Sequence, residues 1–262
     1  MKKCICAIAF CVLLCGCDLL GGDPLSGGGY TDKWASLVNE TSHDVQLNGN
    51  TLTYGDHTYT LDGEISYDFQ PGYYDPQVTA TVQFSNIPSG YTEFKAVYEN
   101  LLGKSLAGTV AMVPMAMEIY ARKPSTGEKC LLLLCKDASC VDGITRELKR
   151  KFPQKREDES DEYCQRYLPA ALLEGAVYDN AYAPNEPYTV EMGAAATQPQ
   201  EAKLTPYGTV YYTYIFADAW DTSSRGVDVF LPKGQEYFKV QNCPGCYSQC
   251  KTIFGGPWTG LK

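Results

Sequence analysis

Residues 106–120 read L-A-G-T-V-A-M-V-P-M-A-M-E-I-Y. Leu106, Val110, Val113, Met117 and Tyr120 recur at helical spacing and mark one apolar face. Ala107, Ala111, Met112, Met115, Ala116 and Ile119 fill most of the remaining circumference, and only Thr109 and Glu118 carry polar side chains. A helix that is apolar nearly all round belongs inside a protein, so the stretch predicts a buried, Met-rich central helix. Pro114 removes one backbone donor and predicts a kink or a split there. The stretch is too short for a membrane span, and Glu118 and Pro114 interrupt it.

Helical period continues on both sides, over 91–178. Tyr91, Phe94, Val97, Tyr98, Leu101 and Leu102 form an amphipathic helix that Gly103 should end. Ser125-Thr126-Gly127-Glu128 has the form of a capping box opening a helix through C-L-L-L-L-C. Val141, Ile144, Leu148 and Phe152 line the next helix, with Pro153 as its stop, and Tyr163–Leu173 predicts a last helix interrupted by Pro169. Between them, Gln154–Asp161 is a mixed charge run that reads as an exposed loop or helix entry.

The flanking regions change to the period of strands. Residues 45–84 carry turn signals at Asn48-Gly49, Gly55-Asp56 and Asp62-Gly63, which predicts an antiparallel meander. Across 77–84, Val78, Ala80, Val82 and Phe84 alternate with Gln77, Thr79, Thr81 and Gln83, as in a strand packed on one face and wet on the other. Residues 188–240 return to strands at Tyr188–Met192, Val210–Phe216, Val227–Leu231 and Tyr237–Val240. Strands, then helices, then strands predict an α+β fold with a single domain over 31–262. The two strand regions either join in one sheet or form two, and a Cys-rich tail follows at 243–262.

Residues 1–17 stand apart from this fold. Lys2 and Lys3 precede a compact apolar run, Ile5–Leu14, and then Leu14-Cys15-Gly16-Cys17. This order of charge, apolar run and small residues before a cysteine resembles a bacterial lipoprotein signal peptide with its lipobox. The resemblance covers this segment alone. It implies lipid attachment at Cys17 and an extracytoplasmic place in the cell envelope, held to a membrane through the N-terminal lipid. Asp18–Tyr30 is Gly-rich and reads as a tether of about 20 Å between lipid and domain. Without Lys2 and Lys3 the chain has 20 basic and 31 acidic residues, a net charge near −11. That balance argues against nucleic acid as a partner.

Five of the 12 cysteines lie at or before Cys17, which leaves Cys130, Cys135, Cys140, Cys164, Cys243, Cys246 and Cys250. In an oxidising space these are disulfide candidates, and the odd number leaves at least one unpaired or joined to another chain. At least one of Cys243, Cys246 and Cys250 is expected to be bridged. Cys243-Pro244-Gly245-Cys246 also resembles the thioredoxin-type C-x-x-C, although it follows a strand near the chain end. Cys243, Cys246 and Cys250 lack a second C-x-x-C pair to complete a zinc site, so no metal and no cofactor is expected.

No catalytic residue stands out. His43 and His57 carry no surrounding motif, the carboxylates are scattered, and G-x-S-x-G and G-x-x-x-x-G-K-[ST] are missing. The 20 tyrosines include Tyr73-Tyr74 in a Pro/Gly turn and Tyr211, Tyr212 and Tyr214 on one strand. Such rings pack sheet faces, and where exposed they stack on sugars or anchor a protein. The sequence therefore points to a lipid-anchored envelope protein that binds a protein or glycan partner. An envelope hydrolase or transferase with a dispersed site, or a redox or metal protein using the terminal cysteines, is the alternative. The folded part resembles no characterised family and has the look of an uncharacterised domain.

Overall fold

Residues 32, 34–65, 78–152, 165–194, 202–220, 224–248, 250–251, 253 and 260–262 are described by the structure, a computed structural model. The leader with Cys17, the 18–30 tether, the Tyr73-Tyr74 turn, the charge run and Cys164 lie outside them.

The meander residues form β1 (Val45–Asn48), β2 (Thr51–Tyr54), β3 (His57–Gly63) and β4 (Ala80–Phe84). Gly49-Asn50 and Gly55-Asp56 make the first two hairpin turns, and Gly49 and Gly55 sit at φ +60° and +61°, the left-handed region that glycine tolerates. Asp62-Gly63 is not a turn. Both residues stay in β3 and pair with Thr81 and Ala80, so the strand continues past the turn signal. Ala80, Val82 and Phe84 are buried as the alternation predicts, while Val78 precedes the strand and is exposed.

The helical region holds α1 (Tyr91–Asn100), α2 (Leu106–Arg122), α3 (Pro124–Leu134) and α4 (Ala138–Lys151). Every residue of α2 after Leu106 is buried, and the helix runs through Pro114 without a split. Ser105 caps it, accepting a hydrogen bond from the Gly108 amide at 3.3 Å. The capping box expected at Ser125 is absent. α3 opens two residues earlier, with Pro124 in its first turn and Lys123 at the cap. Gly127 lies inside α3, where a Cβ would come within 2.1 Å of the Tyr120 Cα, so the glycine is there to let α3 close on α2. Val141, Ile144, Leu148 and Phe152 are all buried under α4. The described part of the last predicted helix is not an α-helix: residues 166–169 turn, and a 3₁₀ segment spans Ala170–Leu172. Pro169 has no N–H to carry an α-helical ladder, and apart from the Ala171 N–H to the Tyr167 carbonyl the bonds close three residues apart, as from Leu172 N–H to the Pro169 carbonyl.

The C-terminal strands are β5 (Tyr188–Ala194), β6 (Ala202–Thr205), β7 (Gly208–Phe216), β8 (Ser224–Pro232) and β9 (Lys239–Asn242). β6 was not foreseen, because Ala202–Thr205 carries little β signal of its own. Both strand regions join in one antiparallel sheet of order β1-β2-β3-β4-β5-β7-β8-β9. One edge of β7 is shared, with β6 along its first half and β5 along its second. The α2 helix lies against β4, β5, β7, β8 and β9, so an α+β fold is built around the Leu106–Arg122 helix. Among the described residues no helix is long and apolar enough to cross a membrane.

One charge cluster interrupts the apolar centre. Glu118, fully buried on α2, accepts hydrogen bonds from Arg166 at 2.5 and 2.8 Å and from Arg122 at 2.8 Å. Arg166 also donates to Asp32 at 2.5 Å, and Arg122 to the Leu261 carbonyl at 2.8 Å. Removing one member of a buried ion cluster leaves the others uncompensated. Glu118→Ala is therefore expected to lower unfolding free energy by about 3–5 kcal/mol. Denaturant unfolding of wild type and variant checks this, and an unchanged midpoint would contradict it.

Candidate functional site

The two histidines meet at one cleft. The hairpin turn at Gly55-Asp56 places His57 at the first position of β3, directly opposite Tyr54. The ring of His43 packs edge-on to Tyr54 with centroids 5.4 Å apart, and it occupies the space beside Gly55 that a side chain would need. The Tyr54 hydroxyl receives the His43 amide at 3.0 Å and donates to the Thr41 carbonyl at 3.1 Å, which fixes the approach of residues 41–43.

The opposite wall is the N-terminus of α1. Its free N–H groups are satisfied from a distance: Glu40 accepts from the amides of Tyr91 and Thr92 at 3.1 and 2.8 Å, and from the Thr92 hydroxyl at 2.7 Å. Burial opposes the Glu40 charge, but the bonds from Thr92 and Tyr91 outweigh it and hold its pKa below the ordinary value. Glu93, in the first turn of α1, is almost fully buried and points back into the cleft.

Four bonds converge on Glu93. Its Oε1 receives the Tyr59 hydroxyl at 2.7 Å and lies 2.8 Å from His57 Nδ1. Its Oε2 receives the Ser89 amide at 2.7 Å and the Ser89 hydroxyl at 2.8 Å. Burial alone would raise the pKa of this carboxyl. The bonds from His57, Ser89 and Tyr59 prevail and hold it lowered, so it stays ionised. The hydrogen bond to Glu93 raises the His57 pKa against a smaller effect of burial. Tyr59 is pushed well up, first by burial and then by the Glu93 charge, and remains a donor. The result is an imidazole locked through Nδ1, the arrangement by which a carboxylate orients histidine for binding or proton transfer.

Ser36, Asn39, Asn86, Ser89 and Lys262 add polar groups around a cavity of about 320 Å³. Arg122 reaches the cleft from the buried charge cluster. The cavity lies at the small end of ligand-pocket sizes. None of this was visible in the sequence as a site, because His57 and Glu93 are 36 positions apart. No local signal joins them: His57 follows a hairpin turn and Glu93 sits in the first turn of α1.

The sequence-predicted site residues fall elsewhere. Cys17 and Cys164 are outside the described residues. Cys130, Cys135, Cys140, Cys243, Cys246 and Cys250 are free thiols, with no pair at disulfide distance. Cys130 is buried in α3, while Cys135 and Cys140 bracket the α3–α4 turn and Cys243, Cys246 and Cys250 follow β9. Among the described residues no three His, Cys, Asp or Glu side chains are grouped to hold a metal ion. Tyr211, Tyr212 and Tyr214 lie half-buried on β7.

The family described as Domain of unknown function (DUF6935) matches residues 86–253, and the chain belongs to that family. No curated protein and no solved structure matches the chain. The match contains Glu93, Glu118, Arg166 and all seven cysteines after Cys17, while His43 and His57 precede it.

The His57–Glu93 pair gives a definite pH signature. His57 has its pKa raised from 6.5, so its contribution to stability is complete below pH 6.5 and is lost as pH rises through the folded value. Glu93 has its pKa lowered from 4.5, so its contribution is present above pH 4.5 and is lost as pH falls through the folded value. The stability difference between wild type and His57→Gln should therefore be largest between pH 4.5 and 6.5 and shrink at alkaline pH. Denaturant titrations across that range check it, and a difference that grows above neutrality would refute it.

Proposed function

We propose that this DUF6935 chain is a lipid-anchored, extracytoplasmic binding protein of the bacterial envelope that takes a small polar ligand of saccharide size in the His43–His57 cleft. The observation that carries the reading is the buried Glu93 holding His57 through Nδ1 at the wall of a cavity of about 320 Å³. Imidazole, amide and hydroxyl side chains around the cavity match the donor and acceptor hydroxyls of a sugar, and Tyr54 supplies an apolar surface beside them. The anchor rests on Lys2, Lys3, the apolar run and Leu14-Cys15-Gly16-Cys17.

Two measurements test the two halves of this reading. Cys17→Ser should abolish fatty-acid labelling and move the protein out of the membrane fraction, and a labelled, membrane-bound variant would refute the anchor. For the cleft, detergent-solubilised full chain is titrated by calorimetry with neutral and amino sugars, N-acetylglucosamine first. A hydrogen bond to a charged group is worth about 1.5–3 kcal/mol, so His57→Ala should weaken binding about tenfold or more. Absent binding, or binding untouched by a folded His57→Ala, would refute the site.

The same His57–Glu93 bond favours one second reading, a hydrolase in which His57 serves as general base. That reading requires release of product from a glycoside or ester substrate, and it requires His57→Ala to remove turnover.

A further inference from the structure

Arg122 closes α2 and His57 opens β3, yet both side chains line the one cleft. Arg122 is only 4% exposed. Its Nε donates to Glu118 and its Nη2 to the Leu261 carbonyl, each at 2.8 Å. These two bonds fix the plane of the guanidinium. Nη1 carries two further N–H groups and has no hydrogen-bond partner among the described residues. A buried cation with one nitrogen unspent therefore stands at the cavity wall.

His57 is arranged in the same way. Glu93 holds Nδ1 at 2.8 Å, and Nε2 is left over. Asp56 Oδ1 lies 3.8 Å from Nε2, beyond hydrogen-bond length, on a fully exposed side chain. Asn39 spends its Oδ1 on the Thr41 amide and hydroxyl, which leaves its NH₂ group for other acceptors. The acceptors of the lining are used up or outside. Glu93 already receives four bonds, and Asp56, the other carboxylate, stands in solvent. Lys262 is occupied by Glu186 at 2.7 Å. The cavity thus offers donors and lacks an acceptor to meet them.

The two cations also feel each other: the charge of Arg122 works against protonation of His57. An anionic oxygen between them relieves that repulsion. Net charge supplies little of the attraction, because Glu118 and Glu93 match the two cations from behind and the chain is acidic as a whole. Distant surface charges are screened over about 10 Å at 0.1 M salt. Pre-placed donors decide the matter, and a carboxylate uses them about twice as strongly as a neutral hydroxyl does.

We propose that the ligand of this cleft is an acidic sugar whose carboxylate is seated between Arg122 Nη1 and His57 Nε2. The proposal rests on the saccharide reading of the cleft and narrows it from polar sugars to uronic acids. Arg122 is then the residue that sets specificity, while Asn39, Asn86 and Ser36 remain for the sugar hydroxyls.

Detergent-solubilised full chain is titrated by calorimetry with D-glucuronate and with D-glucose, which carries a hydroxymethyl group in place of the carboxylate. Glucuronate should bind about tenfold or more tightly. Arg122→Lys keeps a cation beside Glu118 but removes Nη1, so the two affinities should come within about threefold while glucose binding changes little. A second measurement uses wild type alone, in buffers of different ionisation enthalpy at slightly alkaline pH. A carboxylate beside His57 favours the imidazolium, so glucuronate should bind with proton uptake and glucose without it. His43, Asp56, Glu93 and Lys262 are the other titratable groups of the lining, and loss of the uptake in His57→Gln assigns it to His57. Equal affinities without proton uptake would overturn the acidic ligand and leave the saccharide reading standing. Tighter binding of glucose 6-phosphate than of glucuronate would overturn the carboxylate. Failure of every sugar to bind would overturn both readings.

Discussion

A carboxylate in the middle of an apolar helix sets the arrangement of the chain ends. Glu118 cannot stay charged in the interior without partners, and burial of an unpaired charge is far costlier than any single apolar contact is favourable. Its partners come from distant parts of the sequence: Arg122 one turn along α2, and Arg166 beyond α4. Arg166 in turn holds Asp32, and Arg122 holds the carbonyl of Leu261. The guanidinium of Arg166 also lies over the rings of Trp34 and Phe152, at 5.2 and 5.8 Å. The first and last described segments are therefore positioned by the central helix. A buried ion cluster of this kind is weak evidence for stability in itself. Its consequence is that few other placements of those segments satisfy all the charges.

The cleft depends on that placement. Ser36, Leu37, Asn39 and His43 all belong to the segment between Asp32, tied to Arg166, and the β1 strand. Glu40, in the same segment, caps α1 and so sets the distance between the segment and the helix that carries Glu93. Lys262 reaches the cleft from the other end of the chain, where the Ile87 amide donates to its carbonyl and its own amide donates to the Tyr188 hydroxyl. The sequence suggested that the C-terminal tail needs a covalent tie. The described part of it is held by hydrogen bonds to Arg122, Ile87 and Tyr188 instead.

What could be read in the sequence follows from range. The periodicity of Leu106–Tyr120, the alternation ending at Phe84 and the turn at Gly55-Asp56 are local, and each gives the right element. The failures are also physical. Ser125–Glu128 has the letters of a cap, but Pro124 starts the helix first and Gly127 is needed for contact with Tyr120. Tyr163–Leu173 has helical apolar spacing, yet Pro169 and the demands of the Arg166 ion pairs hold its described part in turns. The site was least legible. His57 meets Glu93 because α1 packs beside the β2–β3 hairpin, and Cys135 meets Val240 because the end of α3 is laid against β9, contacts that local patterns do not encode. The cysteines were recognisable as a group, but not their placement: Cys135 and Cys140 bracket the α3–α4 turn, and Cys243, Cys246 and Cys250 follow β9.

The sheet also keeps the histidine cleft apart from the cysteines that follow β9. His57 begins β3, near one edge of the strand order, and Cys243 follows β9, the strand at the other edge. Between them lie β4, β5, β7 and β8, whose buried side chains pack on α2. Among the described strands β9 is bonded to β8 alone. The nearest shared element is α2, rigid through its burial and through Glu118. Distant sites without shared partners act additively to a first approximation. A substitution at one edge of the sheet should therefore leave the geometry of the other edge intact.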